Sequence, residues 1–292
     1  MTTPLVDTHV HLFDRTLPLS PGAWTHPDHD LTTETFLPMM TAHGVGHAVI
    51  SAMSLLADQN TYTLTALRSD PRLRATIDLE PPPDLTGRSK PRLGDAIHGT
   101  DPIECSNPRL DPDLTALRAA GVVGLRFQWR RRTDLPDLTG PGYRSLLRQV
   151  AELGWHVELN IESARLPPVL DALLASRVNV VVDHFGDPHP ETGYANPGGT
   201  ALLRALATGR VWTKLSAGYR FRVSSASLAG YAETLLDAAG PEHLFWGSDA
   251  PFIGARQPVT YRDAVDSFTT TVPDPQIRDR ITRASFAFYF DQ

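Results

Sequence analysis

Cysteine and lysine are both scarce in this sequence. Cys105 is the single cysteine, so no disulfide can form within the chain, and a reducing compartment such as the cytoplasm is the expected setting. Lysine occurs only at positions 90 and 214, and arginine supplies the rest of the 27 basic residues. No apolar run is long enough to span a bilayer and no secretory leader is evident, so we expect no membrane association.

An excess of positive charge is also missing. The formal net charge is -6, which argues against a general nucleic-acid binder. Hydrophobic residues make up 41% of the chain and charged residues 21%, as in an ordinary globular enzyme. The length of 292 residues suits one α/β barrel, a fold that typically takes about 250 residues. We therefore predict one domain over residues 1–292.

Short apolar runs alternate with longer helical patterns along the chain. Continuous apolar runs such as 178–182 are typical of parallel strands that are buried on both faces. Amphipathic segments at 143–153, 166–176 and 228–239 predict helices between them. The pattern predicts a closed (β/α)8 TIM barrel. The rival, an open doubly wound sheet, is weakened because no glycine-rich phosphate loop follows the first strand. The eight predicted strands are 5–10, 47–53, 74–79, 122–129, 156–161, 179–184, 211–217 and 243–249.

Two long proline-containing segments interrupt this alternation, at about 13–30 and 80–112. They follow the first and third predicted strands, so both should lie at the C-terminal face of the barrel, where active sites are built. Long loops in compact domains are often lids or binding loops, although a simple surface insertion remains the alternative.

Ionisable residues stand at the ends of three predicted strands. His9 and His11 are two residues apart on the first strand, so their side chains point to the same side. His184 ends the sixth strand and Asp249 ends the eighth. Each has an ordinary alternative, as an incidental or core histidine or as a helix N-cap. Because strand ends converge at the mouth of a barrel, the joint arrangement favours one site.

The motifs around these residues resemble those of the amidohydrolase superfamily, in its amidohydrolase-related branch. They are Asp-Thr-His-Val-His-Leu-Phe at 7–13, Asp-His-Phe-Gly at 183–186 and Gly-Ser-Asp-Ala-Pro at 247–251. The branch includes lactonases that act on pyrone dicarboxylate and sulfomuconolactone, and metal-dependent decarboxylases. Segments 124–127 and 214–220 resemble the lactonases in particular.

The resemblance implies further binding residues. Arg126, Arg132 and Arg220 fall where a lactonase carries arginines for substrate carboxylates, and a guanidinium fork suits such groups. Asn160 stands where a substrate-binding tyrosine is expected, and the loop around Trp24 also lacks one, which weakens the case for pyrone dicarboxylate itself. Asn160 can instead hydrogen-bond a carbonyl or ring oxygen.

Arg126 raises a separate question, because it lies inside an apolar strand. A buried guanidinium without a partner is costly, so Arg126 needs either an internal carboxylate or the anionic group of the substrate. Arg130 and Arg131, by contrast, are expected in surface salt bridges.

The metal content also follows from the resemblance. Binuclear members bridge two ions with a strand-four lysine, and this sequence has none there. We therefore expect at most one divalent ion, zinc or manganese, on His9, His11, His184 and Asp249; metal-free catalysis is the alternative.

The implied reaction is hydrolysis of a carboxylated or sulfonated lactone from aromatic or sugar-acid catabolism. Asp249 would be the general base for water, and the histidines would polarise the carbonyl directly or through the ion. A metal-dependent decarboxylase and a non-catalytic barrel that binds small acids remain alternatives. The oligomeric state is not predicted.

Overall fold

The computed structural model describes residues 3–57, 59–81 and 113–291. Eight parallel strands form one sheet in the order of the sequence, each paired with the next. The barrel closes where the segment after the last strand meets the first: Val10 bridges Ala250 in parallel, and the His11 N–H donates to the Ala250 carbonyl at 2.8 Å. The predicted (β/α)8 barrel is confirmed. The strands are β1 Leu5–Val10, β2 Val45–Ile50, β3 Leu73–Ile77, β4 Val122–Gln128, β5 His156–Asn160, β6 Asn179–Val182, β7 Val211–Leu215 and β8 Leu244–Trp246.

Helices separate the strands and cover the barrel. The three helices predicted from amphipathic patterns are present, each with its apolar stripe buried. Within the described ranges, the helices are α1 Thr33–Ala42, α2 Gln59–Ser69, α3 Leu114–Ala119, α4 Pro141–Glu152, α5 Leu166–Ala175, α6 Pro197–Leu206, α7 Ser225–Ala239, α8 Tyr261–Thr271 and α9 Pro275–Phe290. None of these helices is long and apolar enough to cross a membrane.

The barrel interior is filled by side chains in layers. One layer takes Val49, Val123, Val181 and Phe245 from the four even-numbered strands, and Tyr289 of α9 packs against it. Such a layer of four residues from alternate strands is typical of a TIM barrel and leaves no pore. The apolar layer is a rigid support for the polar groups at the strand ends.

Of the two long segments predicted between strands, the structure describes the first and only the beginning of the second. Residues 13–30 form a loop that returns to the barrel through a bridge between Phe13 and Leu31 and touches the second βα loop at Leu19 and Leu56. Most of the predicted 80–112 segment, from residue 82 onward, lies outside the described residues.

Candidate active site

The four residues expected at the strand ends meet at the mouth of the barrel. The Asp249 Oδ1 atom lies 3.5 Å from His9 Nε2, 3.5 Å from His11 Nε2 and 3.9 Å from His184 Nε2. All four side chains are buried. The structure therefore brings together three imidazoles and a carboxylate around one point.

The backbone at two of these residues is left-handed. Asp249 has φ of 64° and His184 has φ of 52°, an uncommon conformation for residues other than glycine. The Asp249 N–H donates to the His9 carbonyl at 2.8 Å, which holds the end of β8 against β1. Strained residues of this kind cluster at functional sites, where the surrounding structure holds them.

Neighbouring groups turn each imidazole so that its Nε2 faces the centre. His11 Nδ1 lies 2.9 Å from the Ser51 carbonyl oxygen, and His184 Nδ1 lies 2.8 Å from the Ser216 hydroxyl. Because a carbonyl oxygen only accepts, Nδ1 of His11 carries a proton and donates it to Ser51. Burial holds the pKa of His9 and of His184 well below the usual 6.5, so both rings are neutral.

The buried donors could hold a divalent ion, and they form two groups that share His9: one with His11 and Asp249, and one with Asp183 and His184. Within the described residues, His9 Nε2, His184 Nε2 and Asp249 Oδ1 are buried and have no hydrogen-bond partner. Ligand atoms around a tetrahedral zinc ion are about 3.4 Å apart, given metal–ligand distances of about 2.0–2.1 Å. The distances between Oδ1 and the three Nε2 atoms are close to this value.

The second oxygen of Asp249 is held from the seventh strand end. Oδ2 accepts a hydrogen bond from the Tyr219 hydroxyl at 2.5 Å and lies 2.7 Å from Arg220 Nη2. Burial alone would raise the pKa of Asp249, but the Arg220 guanidinium and the His184 ring more than offset it, so the pKa lies well below 3.8. Asp249 is therefore ionised. Tyr219 was not among the residues expected from the sequence, although it lies inside segment 214–220, which resembles the lactonases.

A buried cluster of four charges lies beneath His9. Arg126 Nε is 2.9 Å from Glu158 Oε1, Arg126 Nη2 is 2.8 Å from Asp183 Oδ2, and Lys214 Nζ is 2.7 Å from Glu158 Oε2. Each of these side chains is at most 1% exposed. His9 Nδ1 lies 3.3 Å from Asp183 Oδ1 and 3.4 Å from Glu158 Oε1. The cluster supports the His9 ring from below.

This cluster answers the question that Arg126 raised. The guanidinium borders the mouth of the barrel, yet its charge is balanced by the internal carboxylates of Glu158 and Asp183. The first of the two partners allowed by the sequence is therefore present. The sequence analysis did not identify these partners, although Glu158 and Lys214 are charged residues inside the otherwise apolar strands β5 and β7 and so indicate buried ion pairs.

The mouth cavity above the histidines is lined by three of the expected binding residues and by two unexpected ones. Asn160 and Arg220 border it together with Arg126, but Arg132 does not. Arg130 and Arg131, expected in surface salt bridges, both line it.

The three consecutive arginines of the fourth βα loop point in different directions. Arg130 pairs with Asp187 at 2.8 Å, and Arg132 Nη1 lies 2.7 Å from Glu80. Arg131 lies over the Trp24 ring, with its Cζ 4.2 Å from the ring centroid. The structure thus places Arg132 to the side of the cavity and turns Arg131 toward it.

Comparisons with known proteins agree with this fold. The amidohydrolase family matches residues 6–284. The 4-sulfomuconolactone hydrolase of Hydrogenophaga intermedia is 26% identical over 255 residues, covering 85% of this chain and 75% of that protein. A 2-pyrone-4,6-dicarboxylate hydrolase of Comamonas testosteroni is 31% identical over 153 residues, which cover 48% of this chain and 50% of that protein.

A solved structure is similar over almost the whole chain. It is a probable 2-pyrone-4,6-dicarboxylic acid hydrolase from Acinetobacter baumannii with citric acid bound. It superposes with a TM-score of 0.82 at 26% identity and covers 98% of this chain and 99% of its own. With the family match spanning nearly all of the barrel, the chain belongs to the amidohydrolase family.

Proposed function

We propose that the protein hydrolyses a lactone that carries a carboxylate or sulfonate group. The observation that carries this proposal is the meeting of three buried imidazoles with an ionised carboxylate at the barrel mouth. The relatives named as lactone hydrolases support it, because one of them aligns with 85% of the chain. Aromatic or sugar-acid catabolism is the context in which such lactones arise, and the single cysteine favours a cytoplasmic location.

Asp249 acts as the general base in this proposal. Its Oδ1 faces the three imidazoles, whereas Tyr219 and Arg220 hold Oδ2 and fix the plane of the carboxylate. A water molecule attacks the lactone carbonyl carbon and gives its proton to Asp249. The bond between that carbon and the ring oxygen then breaks, and the leaving oxygen takes the proton back from Asp249, so the carboxylate is restored.

The imidazoles of His9, His11 and His184 polarise the carbonyl oxygen. The same three rings and Asp249 would hold one divalent ion, zinc or manganese, which when bound supplies Lewis-acid polarisation of the carbonyl. In the metal-free alternative, the rings contact the substrate directly. Asn160 borders the cavity from the end of β5 and can hydrogen-bond a ring or carbonyl oxygen.

Arg220 borders the cavity beside the general base. It is one-third exposed, and its guanidinium bonds Asp249 on one side while it borders the cavity on the other. Its charge is balanced by Asp249, so it offers hydrogen-bond donors to the substrate rather than a net positive charge.

Proton release measured in a pH-stat tests the proposal, because opening a lactone to a carboxylate liberates one proton at pH 8. The substrates are 4-sulfomuconolactone, 2-pyrone-4,6-dicarboxylate and the uncharged δ-valerolactone. Asp249→Asn should lower kcat by about 10²–10⁴-fold, since an amide cannot accept the proton, while leaving the circular dichroism spectrum unchanged. A kcat close to that of wild type in this variant would show that Asp249 is not the general base. Release of carbon dioxide without ring opening would favour a decarboxylase.

A further inference from the structure

We propose that Arg131, held over Trp24, is the residue that recognises the anionic substituent of the substrate. The inference rests on the proposed lactone hydrolysis and assigns a specificity-determining residue to that site. It departs from the family resemblance, which implied Arg132 for this role.

The backbone of the fourth βα loop aims Arg131 at the cavity. The N–H groups of Trp129 and Arg130 both donate to the Asn160 carbonyl, at 2.8 and 2.9 Å. Arg131 follows with φ of 71°, and its N–H donates to Glu162 Oε1 at 2.9 Å. A left-handed arginine held by a carboxylate on its backbone is an imposed conformation, and such positions concentrate in ligand-binding regions.

The charge of Arg131 is available, whereas the charges of its neighbours are balanced. Arg130 pairs with Asp187, and Arg220 pairs with Asp249. Across residues 3–57, 59–81 and 113–291, no carboxylate forms an ion pair with Arg131. Stacking on an aromatic ring orients a guanidinium without neutralising it, so its N–H edge can still bind a carboxylate or sulfonate through two hydrogen bonds.

Trp24 supplies the platform for this guanidinium. It belongs to the long first loop and is 46% exposed, unusual for a large aromatic residue. Trp24 also lies against the loop after β8. Gly254 of that loop is so close to the indole ring that a Cβ at this position would be 2.8 Å from Trp24 Cη2. Trp24 therefore lies close to Gly254 as well as to Arg131, and it connects three loops at the cavity. Support of an anion-binding guanidinium explains why a tryptophan is exposed at this position.

Steady-state kinetics of Arg131→Met test the proposal. The variant should lose 10–100-fold in kcat/KM on 4-sulfomuconolactone, mainly through KM, because a charge-assisted hydrogen bond is removed; this range is roughly what one such bond contributes. It should change kcat/KM on δ-valerolactone by less than about 2-fold. The control for loss of one positive charge is Arg148→Met, which replaces an exposed arginine on α4. Equal losses on both lactones would overturn the proposal.

Two further variants sharpen the result. Arg132→Met removes the adjacent arginine, and a selective loss on the sulfonated lactone there instead of in Arg131→Met would also overturn the proposal. Trp24→Phe retains an aromatic face and should stay close to wild type, whereas Trp24→Ala should show part of the Arg131→Met loss. If the two tryptophan variants had the same kcat/KM on the sulfonated lactone, Trp24 would not act as the support of Arg131.

Citrate binding by calorimetry separates this inference from the proposed reaction, because it needs no turnover. Wild-type protein should bind citrate, and Arg131→Met should bind it at least about 10-fold more weakly. If wild type opens no lactone but this difference is found, the reaction is wrong and the anion-recognition role of Arg131 stands. Equal citrate affinity in the two proteins, or no binding to wild type, would overturn the inference.

Discussion

Replacing Arg126 with methionine should destabilise the protein, because it leaves two buried carboxylates with one cation. Glu158 and Asp183 would then share only Lys214, which lies 2.7 Å from the first and 3.8 Å from the second. Breaking a buried ion pair by removal of one partner costs about 3–5 kcal/mol. For a domain somewhat smaller than this one, each kcal/mol corresponds to roughly 2–4 °C in Tm, so we expect a decrease on the order of 10 °C.

The same substitution should lower activity without regard to substrate charge. Glu158 and Asp183 both face His9 Nδ1, so a rearrangement of these carboxylates would misplace the imidazole. Loss of a group that orients a site histidine typically reduces activity about 10–100-fold. The loss should be equal for 4-sulfomuconolactone and δ-valerolactone.

Thermal denaturation and kinetics on both lactones measure these effects. Arg132→Met is the control for stability, since its pair with Glu80 is partly exposed and such pairs are worth about 0–1 kcal/mol. The double variant with Glu158→Gln, which removes the excess negative charge, should recover part of the lost stability. An Arg126→Met protein with wild-type Tm and a loss of activity confined to the sulfonated lactone would instead make Arg126 a substrate ligand.

Three further outcomes are expected. Tyr219→Phe should lower kcat about 10-fold with an unchanged circular dichroism spectrum, because the 2.5 Å hydrogen bond to Asp249 is lost; unchanged kcat would contradict this. Burial lowers the pKa of His156 to about 3, so this residue contributes stability above pH 6.5 that is lost as the pH falls toward 3. His156→Gln should therefore weaken the drop in unfolding free energy between pH 7 and 4.5 by roughly 2–3 kcal/mol in urea titrations, and an undiminished drop would argue against the buried ring as its source. Elemental analysis after dialysis should find at most one equivalent of divalent metal per chain, because the two candidate ligand groups share His9; two equivalents would contradict this.

The fold was largely predictable because apolar strands buried on both faces leave a strong pattern. The first predicted strand, 5–10, coincides with β1, and the others start or end within a few residues of the observed strands. The four residues at the mouth were predictable for a related reason. Strand ends of a barrel converge, so ionisable side chains that directly follow apolar runs are brought together.

Side-chain directions in the loops were not predictable from residue type. Arg130, Arg131 and Arg132 have the same chemistry; of the three, Arg131 has the left-handed backbone and lies over Trp24. The ion-pair partners of the buried charged residues could not be predicted from the sequence for a different reason. Glu158 and Lys214 lie 56 positions apart in the sequence on strands that are not neighbours, and only closure of the barrel brings their side chains to 2.7 Å.

Mass spectrometry of the product formed in H₂¹⁸O shows whether water opens a lactone ring in this site. Wild-type protein should convert 4-sulfomuconolactone, or another anionic lactone, to an open acid with one ¹⁸O atom in the new carboxylate. The label should enter at a rate that Asp249→Asn lowers by about 10²–10⁴-fold. A product without ¹⁸O would indicate isomerisation, and a product that has lost carbon dioxide would indicate decarboxylation; either result would rule out lactone hydrolysis by this protein.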